Sequence, residues 1–149
     1  MSHQDSPFSL RDAVTPAPPP DNRWLQTPVR SFMRPGVVTV AEDASLYQVQ
    51  RAMVAHSVHA VLITGTSGPV GWVTAAGLIP WLEKEPALFP AKAAISEKVV
   101  SIPPGASARD AVRMLADPAV GHLVVSPPTT SSPQGVVSEI DLVRLASGG

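Results

Sequence analysis

Sliding the 149-residue sequence along itself brings two stretches into register at an offset of 62, and this internal repeat limits the fold more than any other feature. The offset lays Val38-Thr39-Val40 on Val100-Ser101-Ile102, Ala44-Ser45-Leu46 on Ala106-Ser107-Ala108, and Val49 and Met53 on Ala111 and Leu115. Residues 58–63 fall on 120–125. A loop two residues longer in the second half changes the offset to 64, which lays Gly71-Trp72-Val73-Thr74 on Gly135-Val136-Val137-Ser138 and Leu78-Ile79 on Leu142-Val143. Identities are few, yet apolar positions meet apolar ones almost throughout. Neither unit buries enough apolar surface to stand alone, so the two must share one core.

Local signals give each unit the same order of elements. Residues 37–40 and 99–102 are short β-branched runs and predict strands. Ser45 with Gln48, and Ser107 with Asp110, then place a hydroxyl three residues before a polar or acidic group, the pattern of a capped helix start. Leu46, Val49 and Met53 in the first helix, and Ala108, Ala111, Val112 and Leu115 in the second, recur at helical spacing and form one buried stripe each. Residues 60–63 with 70–73, and 123–125 with 135–137, read as strand pairs around Gly- and Pro-bearing loops. A last helix closes each unit. Over residues 75–82 it is broken by Pro80, whereas over 139–146 it runs to Gly148-Gly149. The expected fold is therefore α+β, two βαββα repeats packed pseudo-symmetrically, with repeat 1 at residues 28–84 and repeat 2 at 85–149. Residues 1–27, rich in proline and without helical or strand period, read as a disordered tail in which Trp24 and Leu25 form an apolar pair able to fold back.

Composition removes several function classes. The formal charge is −1 with no run of Lys or Arg, so the basic stripe that nucleic acid requires is missing. There is no cysteine for a disulfide, a thiol nucleophile or a thiolate metal site. The polar N-terminus does not look like a secretory signal, and Gly, Pro or charge interrupts every apolar run, so a cytoplasmic protein with no membrane partner is expected. No G-x-S-x-G elbow and no Gly-rich phosphate loop occurs, so no enzyme is expected. His56 and His59 straddle a helix end without a nearby carboxylate and make a poor metal pair. Trp72 and Trp81 read as core or interface packing.

The segment Val136-Val137-Ser138-Glu139-Ile140-Asp141 carries the most chemistry. A buried strand there runs through a hydroxyl into a helix with an acid one turn on, which suits phosphate at the helix start and a ribose at the carboxylate. The same residues also form a plain helix cap, and both readings stand.

Taken together, V-V-T-V, D-A-S-L, H-A-V-L-I and G-W-V-T in the first half, followed by V-V-S-I, A-S-A-R-D-A-V-R-M-L, G-H-L-V-V and G-V-V-S-E-I-D-L-V in the second, resemble a tandem pair of CBS domains, a Bateman module, over roughly residues 28–146. The resemblance implies a regulatory or sensory unit, without catalysis, that binds an adenosine-containing ligand between its repeats and commonly forms a homodimer. An adenine nucleotide or an S-adenosyl compound is the implied ligand, and no cofactor is required. Carried over by position, the ligand site comprises Val37, Val38, Val58, His59, His122, Ser138 and Asp141, with His122 toward the phosphates. Glu139 beside it is expected to disfavour a highly charged polyphosphate. The second site, with Thr74, Gly77, Val99, Val100 and Val120, departs from the pattern, because Gly77 stands where the ribose-binding Asp belongs. Leu78, Ile79, Leu142 and Leu145 are expected to leave apolar stripes for a homodimer with two-fold symmetry, and an unidentified regulated protein would read the ligand state. The competing expectation is a ligand-independent dimerisation or scaffold module.

Overall fold

The structure, a computed structural model, describes residues 21–129 and 132–148. Its elements are β1 (Arg34–Pro35), β2 (Thr39–Ala41), α1 (Leu46–His56), β3 (Ala60–Gly65), β4 (Gly68–Thr74), α2 (Ala75–Leu78), β5 (Ser101–Ile102), α3 (Ala108–Leu115), β6 (His122–Val125), β7 (Gly135–Ser138) and α4 (Glu139–Ala146), joined in part by 3-10 turns. In one sheet β2 runs parallel to β3, and β3 antiparallel to β4. The other repeats this as β5, β6 and β7, with β1 added antiparallel at its edge. The fold is thus the α+β pair of βαββα repeats.

Capping and proline chemistry set the helix limits. Ser45 with Gln48 and Ser107 with Asp110 form reciprocal caps at the starts of α1 and α3. Pro80 ends regular helix at Leu78, and the chain continues as a 3-10 turn over Ile79–Trp81. The first strand of each repeat is shorter than the β-branched runs predict, starting at Thr39 and Ser101. Val37 and Val99 leave the sheet edge because they pack instead on Leu62, Trp72 and Val124, the apolar cluster holding the two sheets together.

Two further cores lie under the helices, one per repeat, and each is closed by a segment from elsewhere in the chain. Val29 is fully buried among Ile102, Ala108, Ala111 and Leu123 of the second repeat, and its N–H donates to the Ala106 carbonyl at 2.8 Å. Ala91 and Ala94 close the core of the first repeat beside Leu46 and Val49, and the Ala91 N–H donates to the Ala44 carbonyl at 2.6 Å. Single bridges Pro28 to Ser107 and Ser45 to Pro90 mark the same exchange at the offset of 62. Of the expected tail, residues 1–20 lie outside the described residues. Residues Asn22–Gln26 are not a tail, because Asp21 caps them into a 3-10 helix and Trp24 packs on the second core, as its apolar ring requires. The crossing is close enough to demand glycine at two repeat-related positions. A Cβ on Gly135 would meet the Arg34 carbonyl, and one on Gly71 would meet the Ile95 side chain.

Candidate functional site

Where the edge of one sheet faces the end of the other, a cleft of about 620 Å³ opens between the repeats. Its apolar wall is Val37, Val38, Val58, Ala60, Trp72, Val136 and Ile140, and its polar groups are Arg34, Thr39, His56, His59, His122 and Ser138. The size falls within the roughly 300–1,000 Å³ of small-molecule sites. Val37, Val38, Val58, His59, His122 and Ser138, named from sequence, therefore meet in one place. Arg34, His56 and Trp72 were missed as lining residues. Arg34 reaches the cleft because β1 crosses onto β7, with Arg34 opposite Val136. Trp72 is only 2% exposed and belongs to the apolar cluster between the sheets, so the cleft wall is also interface packing. His56 ends α1, and its spacing from His59 was the available signal.

Asp141 stands behind this wall. It is buried, and its carboxylate accepts from the Ser138 N–H at 2.8 Å and from the Ser138 hydroxyl at 3.1 Å through one oxygen. The other oxygen accepts from Arg34 Nε at 3.3 Å, with Arg144 3.9 Å away. The acid thus closes the start of α4 and ties it to β1. Glu139 is exposed and does not line the cleft.

His122 joins the cleft to the repeat-related second site. Its Nδ1 is 3.1 Å from Glu97 Oε1, and its ring lies over Trp72 with centroids 5.0 Å apart. The Glu97 carboxylate also packs where a side chain at Gly121 would project. Of the other residues named for the second site, Thr74 accepts from the Gly77 N–H at 3.0 Å, Val120 is buried in the second core, Val100 packs on that core, and Val99 packs between the sheets. Gly77 faces Ser96, whose hydroxyl would lie 3.0 Å from an added Cβ.

Among the described residues, no group of three or more His, Cys, Asp or Glu is placed to hold a metal ion. No helix among them is long and apolar enough to cross a membrane.

The family model of the CBS domain matches residues 29–84 and again residues 91–148. The chain belongs to the CBS-domain family. CBS-domain pairs are regulatory modules, and solved structures of such pairs share this fold. The CBS domain of a bacterial CNNM/CorC family Mg2+ transporter in complex with ATP superposes with a TM-score of 0.74 at 20% identity, covering 84% of this chain and 90% of that one. The same transporter domain in another structure gives 0.73 at 22% identity, covering 84% and 78%. The CBS domain of a membrane protein from Sphaerobacter thermophilus gives 0.69 at 21% identity, covering 81% and 88%. A search among curated proteins returned no match.

Proposed function

We propose that this CBS pair is a cytoplasmic regulatory module that binds one adenosine-containing ligand per chain in the cleft lined by Val37, Val38, Val58, His59, His122 and Ser138. The observation that carries the reading is the cleft itself, about 620 Å³ with Val37, Val38 and Val58 among its apolar lining and Arg34, His59, His122 and Ser138 among its polar lining. The ATP complex of a similar CBS domain supports the ligand class. The base lies between Val37, Val38 and Val58, and the ribose approaches Asp141, where its hydroxyls take over the oxygen held by Arg34. The second site takes no ligand on this reading, because Gly77 offers no side-chain acceptor and Glu97 packs against Gly121 and His122. A signal passes only if the ligand binds two arrangements of the repeats unequally.

Thermal unfolding with AMP, ADP, ATP and S-adenosylmethionine tests the reading. A ligand that binds only the folded chain at about 100 times its Kd adds about 2.7 kcal/mol. No shift with any of them would leave the scaffold reading.

The same module pairs with a second copy of itself, and the exposed apolar side chains support this. Leu78 and Leu142, expected on the outer stripe, are covered within their own chain, and Leu145 packs on the second core. Ile79, also expected there, is 62% exposed and flanks a groove at α1 and α2 together with Val54, which is 77% exposed. Sedimentation should show a dimer at tens of micromolar, and Ile79→Asp should shift it toward monomer.

A further inference from the structure

We infer that the second inter-repeat site is occupied by the chain itself: the Trp72 indole, stacked on His122, takes the place that stays open between Ala60 and Val136 in the cleft. This goes beyond the adenosine reading, because it assigns an occupant to the site to which that reading gives no ligand. The offsets of 62 and 64 carry Ala60 and Val136, two smaller side chains on the wall of the cleft, onto His122 and Trp72. In both pairs one residue comes from each repeat. Ala60 and Val136 border a cavity of about 620 Å³. Their counterparts carry rings whose centroids are 5.0 Å apart with planes tilted by 32°, a stacking distance. Trp72 and His122 also line the cleft, so the two rings form a partition between the sites.

The partition is fixed from several elements. Trp72 stands opposite Leu62 in the β3–β4 pairing, packs with Leu62 and Val124, and is buried. Its N–H donates to the Glu97 carbonyl at 2.9 Å, and its carbonyl accepts from the Ser96 N–H at 3.0 Å. Glu97 in turn holds His122 through Nδ1 at 3.1 Å. Glu97 is the counterpart of Pro35 in the cleft wall, so a third paired position differs along with the two rings. Val99, the counterpart of the cleft residue Val37, packs on the same cluster. One continuous contact therefore runs from β4 of the first repeat, through the segment joining the repeats, to β6 of the second.

The indole serves here by its shape. Its Nε1 is buried and has no acceptor among the described residues. A ring held for a polar contact would not leave its donor unpaired, and burying an unpaired donor costs stability that an apolar ring would keep. What the position uses is the size and flatness of the bicycle. The second side of the interface is thus filled permanently, and the module answers a ligand through the first side alone.

Thermal unfolding of the whole chain with free indole at millimolar concentration tests this on Trp72→Val, which places the residue of position 136 at its counterpart. The variant should melt lower than the parent, and indole should raise its melting temperature by about 3 °C or more, because a dry apolar space takes back a ring of matching shape. The parent should not respond. Trp24→Val and Trp81→Val remove rings from the second and first cores instead of the paired position, and should gain nothing from indole. An equal response in all three variants, or none in Trp72→Val, overturns the inference. If Trp72→Val does not fold, Trp72→Leu is judged in its place by the same criterion. A calorimetric titration with ATP then asks whether the space is the second site, and this arm alone rests on the adenosine reading. Trp72→Val/Gly77→Asp, which restores both the space and the acid, should bind two ATP per chain where the parent binds one. One per chain in that variant overturns the inference; no binding by the parent overturns the adenosine reading and leaves the indole response to decide this one.

Discussion

The two repeat-related sites differ at paired positions. In the open cleft Arg34 reaches across from β1 to Asp141 on α4 at 3.3 Å. The offsets of 62 and 64 carry these two residues onto Ser96 and Gly77, which also face each other, but as a hydroxyl against bare backbone. Both members of the ionic pair are missing together. Pro35 of the open cleft corresponds to Glu97, whose side chain turns inward onto Gly121 and His122. Two copies of one unit can thus keep one fold while differing in the side chains at their paired site positions. Backbone packing is shared between them, as the repeat-related glycines Gly71 and Gly135 show, whereas the site depends on a few side chains that packing does not require.

The largest expected effect comes from separating the halves altogether. A fragment of residues 28–84 loses Ala91 and Ala94, which close its core, and exposes Val29, which belongs to the other one. It should show no cooperative thermal transition by circular dichroism; a sharp melt would mean that the exchanged segments are ornamental. Next comes Trp72→Ala, which empties the shared cluster between the sheets and should cost about 3–5 kcal/mol in urea unfolding. Trp24 packs on the second core and Trp81 on the first, so their fluorescence should report one common midpoint if the halves unfold as a unit. Separate midpoints would divide the molecule in two.

Smaller effects probe the sites themselves. Asp141→Ala removes the acceptor of the Ser138 N–H and should destabilise the ligand-free chain by about 1–2 kcal/mol, besides weakening nucleotide binding at least about tenfold. A stability loss with affinity unchanged would make Asp141 purely a cap. The smallest effect is expected for Gly77→Asp, which restores the acid but leaves Ser96 and Glu97 in place. Loss of a helical glycine offsets part of the crowding, so stability should move by less than about 1 kcal/mol. Calorimetric stoichiometry should stay at one ligand per chain, and two per chain would show that the missing carboxylate alone had closed the second site.

Much of this molecule was legible without coordinates because its signals are local. β-branched runs, hydroxyl caps at Ser45 and Ser107, the Pro80 break and the register of the repeat each involve residues within a turn or two of one another, and together they specified the α+β pair and the place where its helices begin. The apolar side of the cleft came from the resemblance to CBS domains, not from periodicity. What the sequence did not determine are contacts whose partners lie far apart along the chain. Segments around Val29 and Ala91 exchange between repeats because a neighbouring core offers their apolar side chains better cover than their own sequence neighbourhood. Arg34 enters the cleft through a strand pairing across 102 positions to Val136, Asp141 is drawn behind the wall by that arginine and Ser138, and Glu97 reaches His122 from 25 residues away. Periodicity records which face of an element is buried. Only tertiary packing decides which distant charge comes to lie against it.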